Sequence, residues 1–190
     1  MIDRKEQILD VAQELLQTRS FSAFSYQDLT DRLDISKATI HHHFATKQAL
    51  GVALTKRFLE NRKARLADIE QDSEDPWTRL DAYFQYGDEV LDKGRICPTG
   101  ILQAEFNVLP EPIREGEQKL FSTNIAWLSE VLADGREKGV MSFSGTPKDQ
   151  AGLVIAAFQG ALQNGRSSGK AQFQAVIRQL KDSITPKPAG

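Results

Sequence analysis

Three histidines stand side by side at His41, His42 and His43, and they are all the histidines the chain has. Imidazoles ligate metals and move protons near neutral pH, so metal binding and acid–base chemistry are the first readings to weigh. Both fail on spacing. The run "ISKATIHHHFATKQAL" reads as a short helix over 37–44 followed by another. Successive residues on a helix point about 100° apart, and only side chains three or four apart share a face. The three rings therefore fan around a turn instead of closing on one ion. No cysteine or further histidine lies near, and no acidic partner stands at suitable spacing in that helix. No metal, cofactor or catalytic residue is expected. Two quieter roles remain: one ring packs inward beside Phe44 while the others face solvent, or the outward rings touch phosphate.

The elements around the run choose between them. Ahead of it, Ile8, Val11, Ala12, Leu15 and Leu16 recur at steps of three and four, the pattern of an amphipathic helix. Ser25 opens "SYQDLTDRL" as a cap, with Asp28 in the first turn, where a carboxylate suits the helix dipole. Asp34 fits a tight turn, Ser36 caps the next short helix, and Thr46 caps "KQALGVALTKRFLENRKARL". Two short helices joined by such a turn, the second opening on small or hydrogen-bonding residues, describe a helix-turn-helix, whose second helix enters a DNA groove by its N-terminal positions. Ser36, Lys37, Ala38 and Thr39 supply those positions, and Ile40 and Phe44 anchor the helix to Leu29 and Leu33. His41 and His42 then lie against DNA. Lys47 falls just past a cap, where backbone N–H groups attract an anion, and Ser25 and Gln27 stand at the start of the supporting helix as further contacts.

The chain has 190 residues, 40% hydrophobic and 26% charged, an ordinary globular composition. A net charge of −2 argues against a nucleic-acid binder until the chain is divided. Residues 1–66 carry eleven Lys and Arg against eight Asp and Glu; residues 67–190 carry thirteen against eighteen. A mildly basic head on an acidic body suggests two jobs. A sole cysteine, Cys97, fits a reducing compartment. No apolar run is long enough to span a bilayer, and the first residues lack a signal-peptide stretch, so a cytoplasmic protein without membrane contact is expected.

Helix signals continue. "DPW" at 75–77 places a cap before proline. "GRICP" precedes a short apolar helix over 99–108, "LPEPI" starts another running to about Lys138, and "TP" at 146–147 starts a helix with Leu153, Val154, Ala157, Phe158, Ala161 and Leu162 on one side. Residues 170–184 carry Phe173, Val176, Ile177, Leu180 and Ile184. "VMSF" is the only strand-like fragment. The fold class is all-α, with about nine helices.

Residues 8–54 closely resemble the DNA-binding head of the TetR family of bacterial repressors, over "FSAFSYQDLTDRLDISKATIHHHFATKQALGVAL" with its turn, both caps and its Phe-x-x-Lys step. The family often has glycine where this chain has Ser20 and Asp34, and commonly tyrosine at His41. The resemblance implies a helix-turn-helix DNA-binding domain over 1–50, a larger effector-binding and dimerisation domain over 51–186, and a tail over 187–190. It implies a sequence-specific transcriptional regulator, a repressor released from a near-palindromic double-stranded operator by an unknown small-molecule effector, acting as a homodimer through its last two helices. The alternatives are a constitutive architectural DNA-binding protein without effector and an interaction module without DNA binding. An enzyme is not expected, since the body has no phosphate loop and no nucleophile–base pair.

A pocket needs an apolar lining with a few polar groups. Tyr83, Phe84, Gly87, Cys97, Phe106, Trp127 and Gln159 are the effector-binding candidates, with Tyr86 and Phe158 beside them; each is also suited to plain core. Gly87 and Gly160, inside helices, cost about 1 kcal/mol against alanine, which makes sense where another helix or a ligand approaches closely. "GRICPTGILQAEF" and "AAFQGALQNGR" are similar to a subset of the family with a cysteine at the start of the sixth helix, some members of which sense electrophiles or oxidants there. A helix N-terminus and nearby Arg95 favour thiolate at Cys97, while lone cysteines commonly serve as small buried hydrophobes; both readings stay open.

Overall fold

The computed structural model describes residues 3–187; of the expected tail, residues 188–190 lie outside the described residues. Among the described residues the protein is all-α, with nine α-helices, one 3₁₀ turn and no strand. In chain order they are α1 (Arg4–Arg19), α2 (Tyr26–Leu33), α3 (Lys37–His43), α4 (Lys47–Asp72), α5 (Pro76–Asp92), α6 (Pro98–Ala104), the 3₁₀ turn Phe106–Val108, α7 (Glu111–Glu137), α8 (Pro147–Ser168) and α9 (Lys170–Ile184).

The helices start where their caps require. Ser36 Oγ accepts from Thr39 N–H at 3.1 Å, Thr46 Oγ1 from Ala49 N–H at 3.0 Å, Asp75 from Thr78 N–H at 2.8 Å and Thr146 Oγ1 from Asp149 N–H at 3.1 Å. Each bond satisfies one of the donors a helix leaves open at its N-terminus. The helix expected over 99–108 is broken. Regular α-structure stops at Ala104, Glu105 takes a non-helical ψ of 5°, and the 3₁₀ turn follows. "VMSF" forms no strand.

Contacts divide the chain into two compact units. The first takes the chain up to Arg62 together with Arg95–Leu120. Its core holds Ile8, Leu15, Leu29, Ile40, Leu50 and Leu54, closed by Leu102, Leu109 and Ile113. A Cβ on Gly51 would strike the Phe21 ring and Ile113, so glycine there lets α4 and α7 approach. α6 and the first part of α7 thus share a core with the helix-turn-helix, and the packed head is larger than the fifty residues carrying the motif.

The second unit takes Lys63–Gly94 and the chain from Phe121 onward. α8 and α9 pair as a helical hairpin, and α5 packs on both. Val154, Phe158, Ala161 and Leu162, and Phe173, Ile177, Leu180 and Ile184, are buried within the chain itself. Leu153 departs from that set and stands 55% exposed on α8, followed by the exposed Ala156 and Gly160 at steps of three and four. Gly87 meets the expectation of close approach, because a Cβ there would enter the Phe173 ring. Around the Cβ position of Gly160 nothing within the chain comes within 4 Å.

Glu117 on α7 is 2% exposed, bonded to the Gln103 side chain, with Oε1 buried and without a hydrogen-bond partner. Burial pushes its carboxyl above the ordinary value, against the opposing effect of Gln103. The native state then keeps a proton that the unfolded chain releases, so stability falls as pH rises from the ordinary glutamate range through the raised value. Glu117→Gln is expected to leave the melting temperature near wild type at pH 4 and to raise it at pH 8, each kcal/mol recovered reading as about 2–4 °C. Equal shifts at both pH values in thermal melts monitored by circular dichroism would refute this.

Candidate nucleic-acid interface

α3 has only seven residues, too few to persist alone. It is held by Ile40, with no exposed surface, and Phe44, 4% exposed, in one core with Leu29 and the partly buried Leu33. The turn before it bends at Asp34, whose φ of 51° and ψ of 51° are left-handed; Asp tolerates this region better than most non-glycine residues. α2 opens on Ser25, whose N–H and Oγ both donate to the Asp28 carboxylate at 2.8 Å. These bonds, with Arg19 alongside, hold that carboxyl below its ordinary range.

With its inward face so anchored, α3 turns its opening outward. Ser36, Lys37 and Ala38 are exposed and Thr39 is half-buried, its Oγ1 2.9 Å from Ser36 Oγ. Ser25 and Gln27 are exposed at the start of α2, with Gln27 Nε2 donating to Asp31 at 2.7 Å. His41 and His42 are exposed; His43 is half-buried and lies edge-on to His42, ring centroids 5.2 Å apart. His41 Nδ1 is 3.1 Å from the Ala45 carbonyl, so that nitrogen carries the proton and donates, leaving Nε2 to accept in the neutral ring. Among the described residues no group of three or more His, Cys, Asp or Glu side chains is gathered as a metal site.

Two features of this surface carry no local signal in the sequence. Tyr26 donates its hydroxyl to the Phe44 carbonyl at 2.8 Å and sets its ring 5.0 Å from that of His41, tying α2 to the end of α3. Burial pushes its phenol up to about 12. Lys47 is half-buried, its ammonium 4.8 Å and 4.7 Å from the ring centroids of Phe21 and Phe24. Desolvation lowers its pKa, against the opposing fields of Glu105 and Asp28.

The effector-binding candidates fall in different units. Cys97 and Phe106 belong to the first. Cys97, 5% exposed, is the N-cap of α6, and half-buried Phe106 has the Arg114 guanidinium 5.8 Å from its ring. Tyr83, Phe84, Gly87, Trp127 and Gln159 belong to the second. There Tyr83 stacks on Trp127 at 5.7 Å and lies 5.4 Å from Phe158, which lies 6.0 Å from Phe84 and 5.9 Å from Phe173. Tyr83 donates to Asn124 Oδ1 at 3.2 Å, and Trp127 Nε1 is buried without a partner. Gln159 is half-buried on α8. Tyr83, Phe84 and Trp127 are thus brought together with Phe158, and Phe106 is not among them.

The model of the bacterial regulatory proteins of the tetR family matches residues 8–54, the segment that builds α1 to the start of α4. The chain is 31% identical over 187 residues to the HTH-type transcriptional repressor NemR of Escherichia coli strain K12, covering 96% of this chain and 94% of that protein. It is 24% identical to the HTH-type transcriptional repressor DhaR of Mycobacterium sp. strain GP1, over 83% of this chain and 80% of that one. A crystal structure of a TetR-family transcriptional regulator from Agrobacterium tumefaciens superposes with a TM-score of 0.92 at 30% identity, covering 96% of this chain and 97% of that one. No helix among the described residues is long and apolar enough to cross a membrane. An anchored α3 with an exposed opening, and a likeness that runs nearly end to end, lead to one conclusion: the chain belongs to the TetR family of bacterial regulatory proteins.

Proposed function

We propose that the protein is a transcriptional repressor that binds a near-palindromic operator as a homodimer and leaves it when a small-molecule effector binds. The observation that carries this is the exposed N-terminal half of α3 standing on a buried Ile40–Phe44 face. The repressor names of NemR and DhaR support the direction of control. In this reading Ser36, Ala38, Thr39, His41 and His42 face the major groove, and Ser25, Gln27, Lys37 and Lys47 face phosphates. The reversible effector site is the Tyr83, Phe84, Gly87 and Trp127 cluster with Gln159.

The dimer is proposed to form on the face of α8 that carries Leu153, Ala156 and Gly160. Exposed small residues beside an exposed leucine let a second copy approach closely, and a C2 pairing uses the same patch on both subunits. Ala156→Glu is expected to give a folded monomer by light scattering. Ala161→Glu, at a position 1% exposed inside the chain's own core, is expected to lower the melting temperature instead. A dimer unchanged by Ala156→Glu would move the interface elsewhere.

A second reading is favoured by one observation. Ile96, beside Cys97, exchanges two hydrogen bonds with α1: its N–H donates to the Gln17 carbonyl at 3.0 Å, and Gln17 Nε2 donates to its carbonyl at 2.9 Å. An adduct on so buried a sulfur would strain that link to the DNA-binding motif. The check is operator release after treatment with a thiol-reactive electrophile. Release of wild type but not of Cys97→Ser supports covalent sensing; equal behaviour returns the effector to a reversibly bound ligand.

For DNA reading, Thr39→Ala and His41→Ala are each expected to cost about 1–3 kcal/mol on an operator recovered by selection from random duplexes, if a base contact is lost. Lys37→Ala is expected to weaken all duplexes alike and flatten the salt dependence by about 0.9 in log–log slope if it meets a phosphate. Anisotropy titrations over a salt series measure both. Unchanged operator affinity in all three variants would dismiss α3 as the reading helix.

A further inference from the structure

Glu105 ends α6 and reaches the turn between α1 and α2. Ser20 Oγ donates to its Oε1 at 3.1 Å, Phe21 N–H to Oε2 at 2.7 Å and Ser22 N–H to Oε1 at 3.1 Å. Consecutive N–H groups converging on one carboxylate form a small anion nest. Ser20 aims them from a φ of 96° and ψ of 163°, backbone space otherwise left to glycine. The same carboxylate acts on Lys47, the first residue of α4, whose ammonium lies over Phe21 of that turn and over Phe24. Asp28 is the other carboxylate acting on it. Lys47 makes no ion pair with either carboxylate, but their charge beside its seat over the two rings offsets part of the positive field a phosphate would meet.

We propose that Glu105 is a positioning residue of DNA binding, which ties α6 to the α1–α2 turn and, through its charge beside Lys47, offsets the pull of that ammonium on the DNA backbone, holding down binding to duplexes of arbitrary sequence. The inference rests on the DNA-binding reading above and adds an internal brake to it. A bare structural tie would weaken binding when cut. The brake predicts the opposite sign on non-specific DNA.

The test uses the full chain and a fluorescent duplex of arbitrary sequence, titrated over a salt series. Glu105→Gln, checked for folding by thermal melt, is expected to bind about two- to fivefold tighter, with a salt dependence steeper by up to about 0.9, one phosphate contact. In a Lys47→Ala background that gain disappears. Glu105→Asp, which keeps the charge but shortens the reach, stays at wild-type affinity while the Phe21 and Ser22 amides exchange faster. Unchanged or weaker binding by folded Glu105→Gln, an equal gain in the Lys47→Ala background, or an equal gain from Glu105→Asp overturns the proposal. Should Glu105→Gln not fold, Lys47→Ala alone decides: a Lys47 offset by the nearby carboxylate predicts a loss below about twofold, and the loss of a full phosphate contact overturns the brake. A wild type that binds no duplex even at low salt removes the DNA-binding reading itself, and this inference with it.

Discussion

The structure depends on the burial of Ile40 and Phe44. A helix of seven residues forms few internal hydrogen bonds against the cost of its first turn, so α3 exists because its inward face is taken up by α2 and the core. Leu29 supplies the floor, Tyr26 fastens the last turn through the Phe44 carbonyl, and the left-handed Asp34 sets the angle between the helices. With direction fixed from inside, the outward positions are free to be small and polar. Ser36, Lys37 and Ala38 are exposed and Thr39 is half-buried, outside the core cluster, which leaves them open for the groove contacts proposed above.

The head is not strongly charged, and this shapes how it can hold DNA. Several cations near α1 and α4 are already engaged. Arg19 pairs with Asp28 at 2.8 Å, Arg32 with Glu14, Arg57 with Asp10, and Arg95 lies 3.5 Å from Glu14. Exposed pairs of this kind contribute about 0–1 kcal/mol each, but they shrink the positive field a phosphate backbone would feel. In the proposed DNA contact, affinity then leans on hydroxyls, helix N-termini and imidazoles, groups that act only at contact distance. Such a surface gains little from arbitrary DNA and more from a site where every short contact closes at once.

What the sequence disclosed follows the range of the interaction. Caps at Ser36, Thr46, Asp75 and Thr146 act over three residues, and the spacing of Ile40 and Phe44 acts over one turn; all were legible, and with them the helices and the motif. The Glu105 nest joins residues more than eighty apart, and the Gln17–Ile96 exchange in the first unit joins residues 79 apart. Nothing at either end announces the other. The same limit explains Lys47. Its place after a cap was readable, but not that Phe21 and Phe24 would lie under its ammonium. The stripes of α8 and α9 were read correctly as apolar, yet periodicity cannot say whether a stripe faces its own chain or a second copy. Ala161 and Leu153 looked alike by pattern, and burial separates them.

Ser20 shows how a departure from the family pattern is accommodated. Glycine would adopt its φ of 96° freely, whereas a side chain there costs about 1–3 kcal/mol. Serine offsets part of that cost with its hydroxyl, which becomes a third donor to Glu105 alongside the Phe21 and Ser22 amides. Glycine would relax the turn and remove that donor, leaving the carboxylate two backbone N–H groups. The strained residue and the acid therefore depend on each other: without Glu105 the conformation of Ser20 loses its compensation, and without Ser20 the nest loses a wall. Because Phe21 and Ser22 lead straight into Ser25 and α2, this contact joins the end of α6 to the entry of the helix-turn-helix, beside the core contact that Leu102 shares with Ile40.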